Sequence, residues 1–148
     1  MGKAQKLGQM PNAPAFSAYA ASTQSISSGV FTKVNFGTEE YDTNNNFASS
    51  RFTPTVAGYY QISAGMDISG NMAGLTRSLI SVYKNGGTYK VLQDNASSGV
   101  QGMNGSCVVY LNGTTDYVEI YAYVIATSPI LSAGAPYTWM QGALVRAA

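Results

Sequence analysis

The sequence predicts an all-β protein, and three observations carry that reading. From Gly58 to Ile68 the chain alternates, with Tyr60, Ile62, Ala64, Met66 and Ile68 on one face and Gln61, Ser63, Gly65 and Asp67 on the other. That is the period of a strand half-buried in a sheet. A second run, Tyr117 to Ile125, sets Val118, Ile120, Ala122 and Val124 against Tyr117, Glu119, Tyr121, Tyr123 and Ile125, so both of its faces look covered. No stretch of about ten residues or more keeps a helical period of ~3.6.

Residues 1–14 have no hydrophobic period and contain Gly2, Gly8, Pro11 and Pro14, so they read as an extended N-terminal arm. An arm with so little to bury is expected either to dock on a neighbouring subunit or to fold back on its own domain. Its candidate contacts are Lys3, Lys6, Leu7, Met10 and Pro11. Residues 15–148 then form a single domain, long enough to remove roughly two-thirds of its unfolded surface from water.

Within that domain, strands are predicted over Ala15 to Tyr19, Phe31 to Phe36, Phe47 to Phe52, Gly58 to Ile68 and Leu79 to Lys84. They continue over Tyr89 to Gln93, Gly105 to Leu111, Tyr117 to Ile125 and Tyr137 to Val145. Asn85-Gly86-Gly87 supplies residues that accept positive φ at a tight hairpin, and Asn112-Gly113 does the same before the Tyr117 strand. Pro54 ends the strand that Phe52 closes, because a proline cannot donate to the ladder. Asp42 to Asn46 and Ala96 to Asn104 read as polar loops.

Composition narrows the function. The net charge is +1, and only 10% of the residues are charged, against about 25% in ordinary soluble domains. Without a basic field, nucleic acid is not an expected partner. No apolar run approaches the ~20 residues that cross a bilayer, and the first thirteen residues lack the apolar core of a signal peptide, so no membrane partner is expected and synthesis in a cytoplasm is. Eleven tyrosines, sixteen glycines and abundant Ser, Thr and Asn leave a neutral, polar surface suited to an assembly. The single cysteine, Cys107, sits in an apolar stretch and reads as a buried thiol.

The chain has no histidine, which removes Ser-His-Asp and Cys-His catalysis and the usual zinc ligand sets. It has no Gly-Lys-Ser or Gly-Lys-Thr phosphate loop. Among the seven carboxylates, Glu39, Glu40 and Asp42 are near enough in sequence to act as an acid–base pair or share a cation. Adjacent glutamates in extended chain point to opposite faces, however, and a solvated acidic turn is the plainer reading. No catalytic residue, metal ligand or cofactor is therefore assigned. Trp139 on the last strand packs in the core or against a subunit, or stacks on a sugar.

Taken in order, the pieces resemble the C1q/TNF-like jelly roll from Ala15 onward. The matching residues are Ala15-Phe16-Ser17-Ala18, Phe31 to Phe36, Tyr41-Asp42, Phe47, Phe52-Thr53-Pro54, Ala57-Gly58-Tyr59-Tyr60, Val82-Tyr83-Lys84-Asn85-Gly86, Tyr117-Val118-Glu119-Ile120 and Gly142-Ala143-Leu144. The Gly-Tyr-Tyr strand and the Lys-Asn-Gly turn are the most specific. Departures are the lack of a collagen-like stalk or secretion signal, and Thr114-Thr115-Asp116 where the family has Gly-Asp. The resemblance implies a sandwich of about ten antiparallel strands that closes into a homotrimer. Metal binding by Asp116 and Glu119 near the trimer axis would be permitted by it, although the altered dipeptide speaks against this.

A subunit covering the outer face of one sheet would account for Tyr117, Tyr121 and Tyr123, with Trp139 as a further interface residue; alternatively, the tyrosines cap a solvent-facing sheet. Similar domains occur in bacteriophage structural proteins. The expected function is therefore a non-enzymatic virion protein, a trimeric capsid decoration or cement protein that clamps the major capsid protein or other virion subunits through its arm. The alternative is a tail or head-fibre adhesin whose loops around Asn71, Asn95 and Asn104 recognise host-surface glycan or protein. A glycan hydrolase using Glu39 or Glu40 with Asp42 is a third.

Overall fold

The computed structural model describes residues 13–99 and 101–148, so the arm contacts Lys3, Lys6, Leu7, Met10 and Pro11 lie outside the described residues. Thirteen strands occur among the described residues and no helix. They are β1 (Ala15–Tyr19), β2 (Gln24–Ser25), β3 (Thr32–Lys33), β4 (Thr38–Asp42), β5 (Phe47–Ala48), β6 (Arg51–Phe52) and β7 (Gly58–Asn71). The second half holds β8 (Arg77–Lys84), β9 (Gly87–Asn95), β10 (Gly102–Leu111), β11 (Val118–Ile125), β12 (Ser128–Leu131) and β13 (Trp139–Ala147).

Two antiparallel sheets face each other. One runs β2-β12-β7-β13-β1-β4, with β10 also paired to β7, and the other runs β5-β6-β11-β8-β9, with β3 paired to β11. The alternation in β7 and β11 decides what lies between them. Tyr60, Ile62, Ala64, Met66 and Ile68 from β7 meet Val118, Ile120, Ala122 and Val124 from β11, and all are buried. Phe16 stacks on Phe52 at 4.3 Å and on Phe47 at 4.9 Å between ring centroids, and Phe52 meets Tyr60 edge-on at 5.4 Å. Each such side chain contributes about 1.5–3 kcal/mol by leaving water. Tyr60 keeps its hydroxyl satisfied by donating to Val56 O at 2.7 Å, and burial pushes its pKa up to about 12.

Several expected elements differ. The predicted Phe47–Phe52 strand is a hairpin, because Ser49 and Ser50 both take positive φ (51° and 59°) and turn the chain between β5 and β6. The buried Ser50 Oγ secures that turn by accepting from Phe36 N at 2.8 Å. Phe31–Phe36 is strand only at β3, and Tyr137 belongs to a turn closed by its N–H on Gly134 O. The acidic segment is not a free turn: Thr38–Asp42 forms β4, an edge strand on β1. By contrast, Asn85 and Gly86, with φ of 52° and 82°, make the expected tight connection of β8 to β9.

The outer edge of β10 is closed by side chains of the opposite sheet. Lys84 Nζ donates to Tyr110 O at 2.8 Å, Tyr89 Oη to Val108 O at 3.2 Å, and Asn104 N donates to Gln93 Oε1 at 2.9 Å. Capping of this kind blunts strand addition at an edge. The outer flat of each sheet is uncovered within the subunit.

Candidate functional site

The outer flat of the seven-stranded sheet is the first candidate. Because β7 sends Tyr60 and Ile62 inward, Tyr59, Gln61, Ser63 and Gly65 must point outward. The register with β10 sets Tyr110 directly opposite Tyr59, and the two rings meet edge-on at 5.4 Å. On β13, Trp139 lies opposite Gly65 and Ala143 opposite Gln61. Gly65 is required there: a Cβ on it would come within 2.8 Å of the Trp139 ring. Tyr59, Val108, Tyr110 and Val145 are 46, 50, 41 and 56% exposed on this face. An open depression of about 660 Å³ lies among Tyr59, Tyr110 and Val145 to Ala148, and a second is lined only by uncharged residues, Tyr41, Gln61, Ser63, Gln141, Gly142, Ala143 and Val145.

The flat of the six-stranded sheet is chemically different. Alternation in β11 points Glu119, Tyr121 and Tyr123 outward, with Tyr117 just ahead of the strand. Tyr121 stacks on Tyr83 at 3.9 Å, and Tyr123 meets Phe31 at 4.9 Å. Glu119 is only 2% exposed, and its Oε1 accepts from Lys33 Nζ at 2.8 Å and Arg51 Nε at 2.9 Å. Burial pushes the Glu119 carboxyl up, but the hydrogen bonds and charges of Lys33 and Arg51 outweigh it and hold the group below its ordinary range. Arg51 lies over the Tyr117 ring at 3.8 Å. At the far end Arg77 grips Asp94 with two parallel bonds, Nε to Oδ1 at 2.9 Å and Nη2 to Oδ2 at 2.6 Å. Burial, then the neighbouring Glu119, raise the pKa of Tyr121.

No family model and no curated protein matches this chain. Solved structures do. The globular domain of zebrafish complement 1qA protein superposes with a TM-score of 0.64 at 19% identity, covering 91% of this chain and 99% of that one. The fold is the C1q/TNF-like jelly roll. Murine APRIL shares it, with a TM-score of 0.63 at 12% identity over 90% of this chain and 99% of its own. The PRD1 vertex protein, at 17% identity and a TM-score of 0.60, covers 90% of this chain and 97% of its own.

Within the jelly roll, the four residues expected at one interface are not brought together. Tyr117, Tyr121 and Tyr123 stand on the flat of the six-stranded sheet, Trp139 on that of the seven-stranded sheet. The tyrosines are also engaged within the subunit, by Arg51, Tyr83 and Phe31. Sequence reasoning passed over Tyr59, Val108, Tyr110 and Val145. The available signal was the Tyr59-Tyr60 pair, of which only one ring can face the core.

The carboxylates are occupied in building loops. Asp42 accepts from Phe47 N at 2.7 Å and Asn44 N at 3.3 Å, and Glu40 accepts from Ser17 Oγ at 2.7 Å. Asp116 accepts from Asn85 Nδ2 at 2.7 Å and from Asn112 N at 3.1 Å, and pairs with Lys84 at 2.9 Å. Bonds from Asn85 and Lys84 hold its pKa below the usual range. No group of three or more potential ligand residues gathers among the described residues. Cys107 is half-buried rather than fully buried, and burial raises its pKa against a smaller opposing pull from Lys90.

Proposed function

We propose that this protein is a non-enzymatic structural component of a virion, a homotrimeric capsid decoration protein that attaches through residues 1–14. The observation that carries the self-association is the aromatic flat of the seven-stranded sheet, whose exposed rings and valines have no cover within the subunit and beside which lies a depression lined only by uncharged residues. Patches of this kind mark surfaces that meet another protein. The fold shared with the PRD1 vertex protein supports a virion setting, and the engagement of Glu40, Asp42 and Asp116 in loop-building bonds argues against a hydrolytic pair. A trimer formed through this sheet brings three arms to one end of the assembly, and the major capsid protein or another virion subunit is their partner. Deleting residues 1–12 should leave a folded trimer by sedimentation and abolish co-sedimentation with undecorated particles. Truncated protein that decorates particles as the full chain does would refute attachment by the arm. A second reading, an adhesin, is favoured by the cationic and aromatic flat of the six-stranded sheet, which the self-association leaves free.

A further inference from the structure

The structure assigns a binding site for an anionic sugar, one bearing a carboxylate or a phosphate, to the depression between Lys33, Arg51 and the β5–β6 hairpin. The depression measures about 430 Å³ and is lined by Lys33, Asn45, Asn46, Ala48, Ser49, Arg51 and Thr53, a volume within the ~300–1,000 Å³ of small-ligand sites.

Charge is the first argument. Two cations share a single carboxylate oxygen, that of Glu119, which is buried. One positive charge is therefore left uncompensated at this depression, and none of its lining residues is acidic.

Preorganisation is the second. Arg51 is fixed twice, by its Nε–H on Glu119 and by its plane over Tyr117. Its terminal Nη groups donate to nothing among the described residues, and the side chain is 42% exposed. A guanidinium held in this way offers a fork for an oxyanion at little further entropic cost. Arg77 shows the opposite case, its fork already filled by Asp94.

The rest of the lining is the third. Asn45, Ser49 and Thr53 carry neutral groups that donate and accept, which suits sugar hydroxyls. Ser49 is held at the rim by the same positive-φ turn that the sequence disguises. A bare oxyanion would use the cations alone, whereas a sugar also uses this neutral wall. The site lies on the opposite sheet from the self-association face, so it is available in a monomer or a trimer.

The test is a titration of the full-length ¹⁵N-labelled protein with glucuronate, glucose 6-phosphate, neutral glucose and inorganic phosphate, followed by amide shifts. Saturable shifts centred on Ser49, Arg51 and Thr53 are expected for one or both anionic sugars, with Kd of about 1 mM. Response to glucuronate alone or to the phosphosugar alone identifies which oxyanion the site takes. Arg51→Lys keeps the charge and loses the fork, and should weaken binding about tenfold. Arg77→Lys should leave binding unchanged. No saturable shift at these amides, equal affinity for glucose, equal affinity for inorganic phosphate, or equal loss in both arginine variants would each overturn the assignment. If Arg51→Lys does not fold, the wild-type titration alone decides between these outcomes.

Discussion

Val108→Glu is the sharpest perturbation of the proposed assembly. Val108 is 50% exposed on β10, and only its backbone oxygen is engaged, by the Tyr89 hydroxyl. Within one subunit the half-exposed side chain can turn to water, so folding stability should change by no more than about 1 kcal/mol. In a trimer the position is buried at three symmetry-related contacts. At each, roughly 1 kcal/mol of remaining apolar burial is lost, and an unpaired carboxylate in a dry interface costs at least ~2 kcal/mol more. Summed over the trimer this is on the order of 9 kcal/mol, enough to lower the association constant about six decades. Sedimentation velocity at micromolar concentration should find wild-type trimers and folded Val108→Glu monomers. A variant that sediments as the wild type does would remove this face from the interface, and a monomeric wild type would remove the assembly itself.

Two further perturbations probe the fold. Glu119→Gln leaves Lys33 and Arg51 without their counter-charge; because their side chains are 28% and 42% exposed, water can recover part of the loss, and a cost of about 1–3 kcal/mol is expected by denaturant melts. The Glu119 pKa is depressed on folding, so its stabilisation is present above the unfolded value of about 4.3 and fades as pH falls below it. Acid titration of the midpoint should therefore be steeper for wild type than for Glu119→Gln, while Asp94 and Asp116, also depressed, remain active in both; identical acid profiles would contradict this account. Gly142→Ala would place a Cβ within 2.7 Å of both Ile62 Cδ1 and Phe16 Cε1 and should cost ~1–3 kcal/mol in a denaturant melt, whereas a neutral effect would mean that the aromatic stack around Phe16 yields easily.

The long alternating strands were legible because burying one side of a strand imposes a period of two, and β7 and β11 obey it over most of their lengths. The β5–β6 hairpin was not: Ser49-Ser50 lacks the Asn-Gly or Gly-Gly signature of its turn, and the bond from Ser50 to Phe36 that stabilises it is non-local. Nor was β4, where Thr-Glu-Glu-Tyr-Asp offers no apolar alternation because an edge strand packs on one neighbour, β1. The tyrosines of β11 were visible as a set, but periodicity assigns residues to faces without saying which faces share a sheet. Tyr59 and Tyr110 meet only through the β7–β10 register, and Lys33, Arg51 and Glu119 converge from three separate strands. Constellations made by pairing between distant segments leave no trace in local spacing.

Trp139 is the chain's only indole, and it lies over Gly65 on the same flat of its sheet as the uncovered rings and valines, further along β7. The ultraviolet emission of the whole protein therefore originates chiefly on the flat of the seven-stranded sheet, the surface that the proposed assembly would dehydrate. Dilution would then read the proposed association from the protein's own light, without any attached dye.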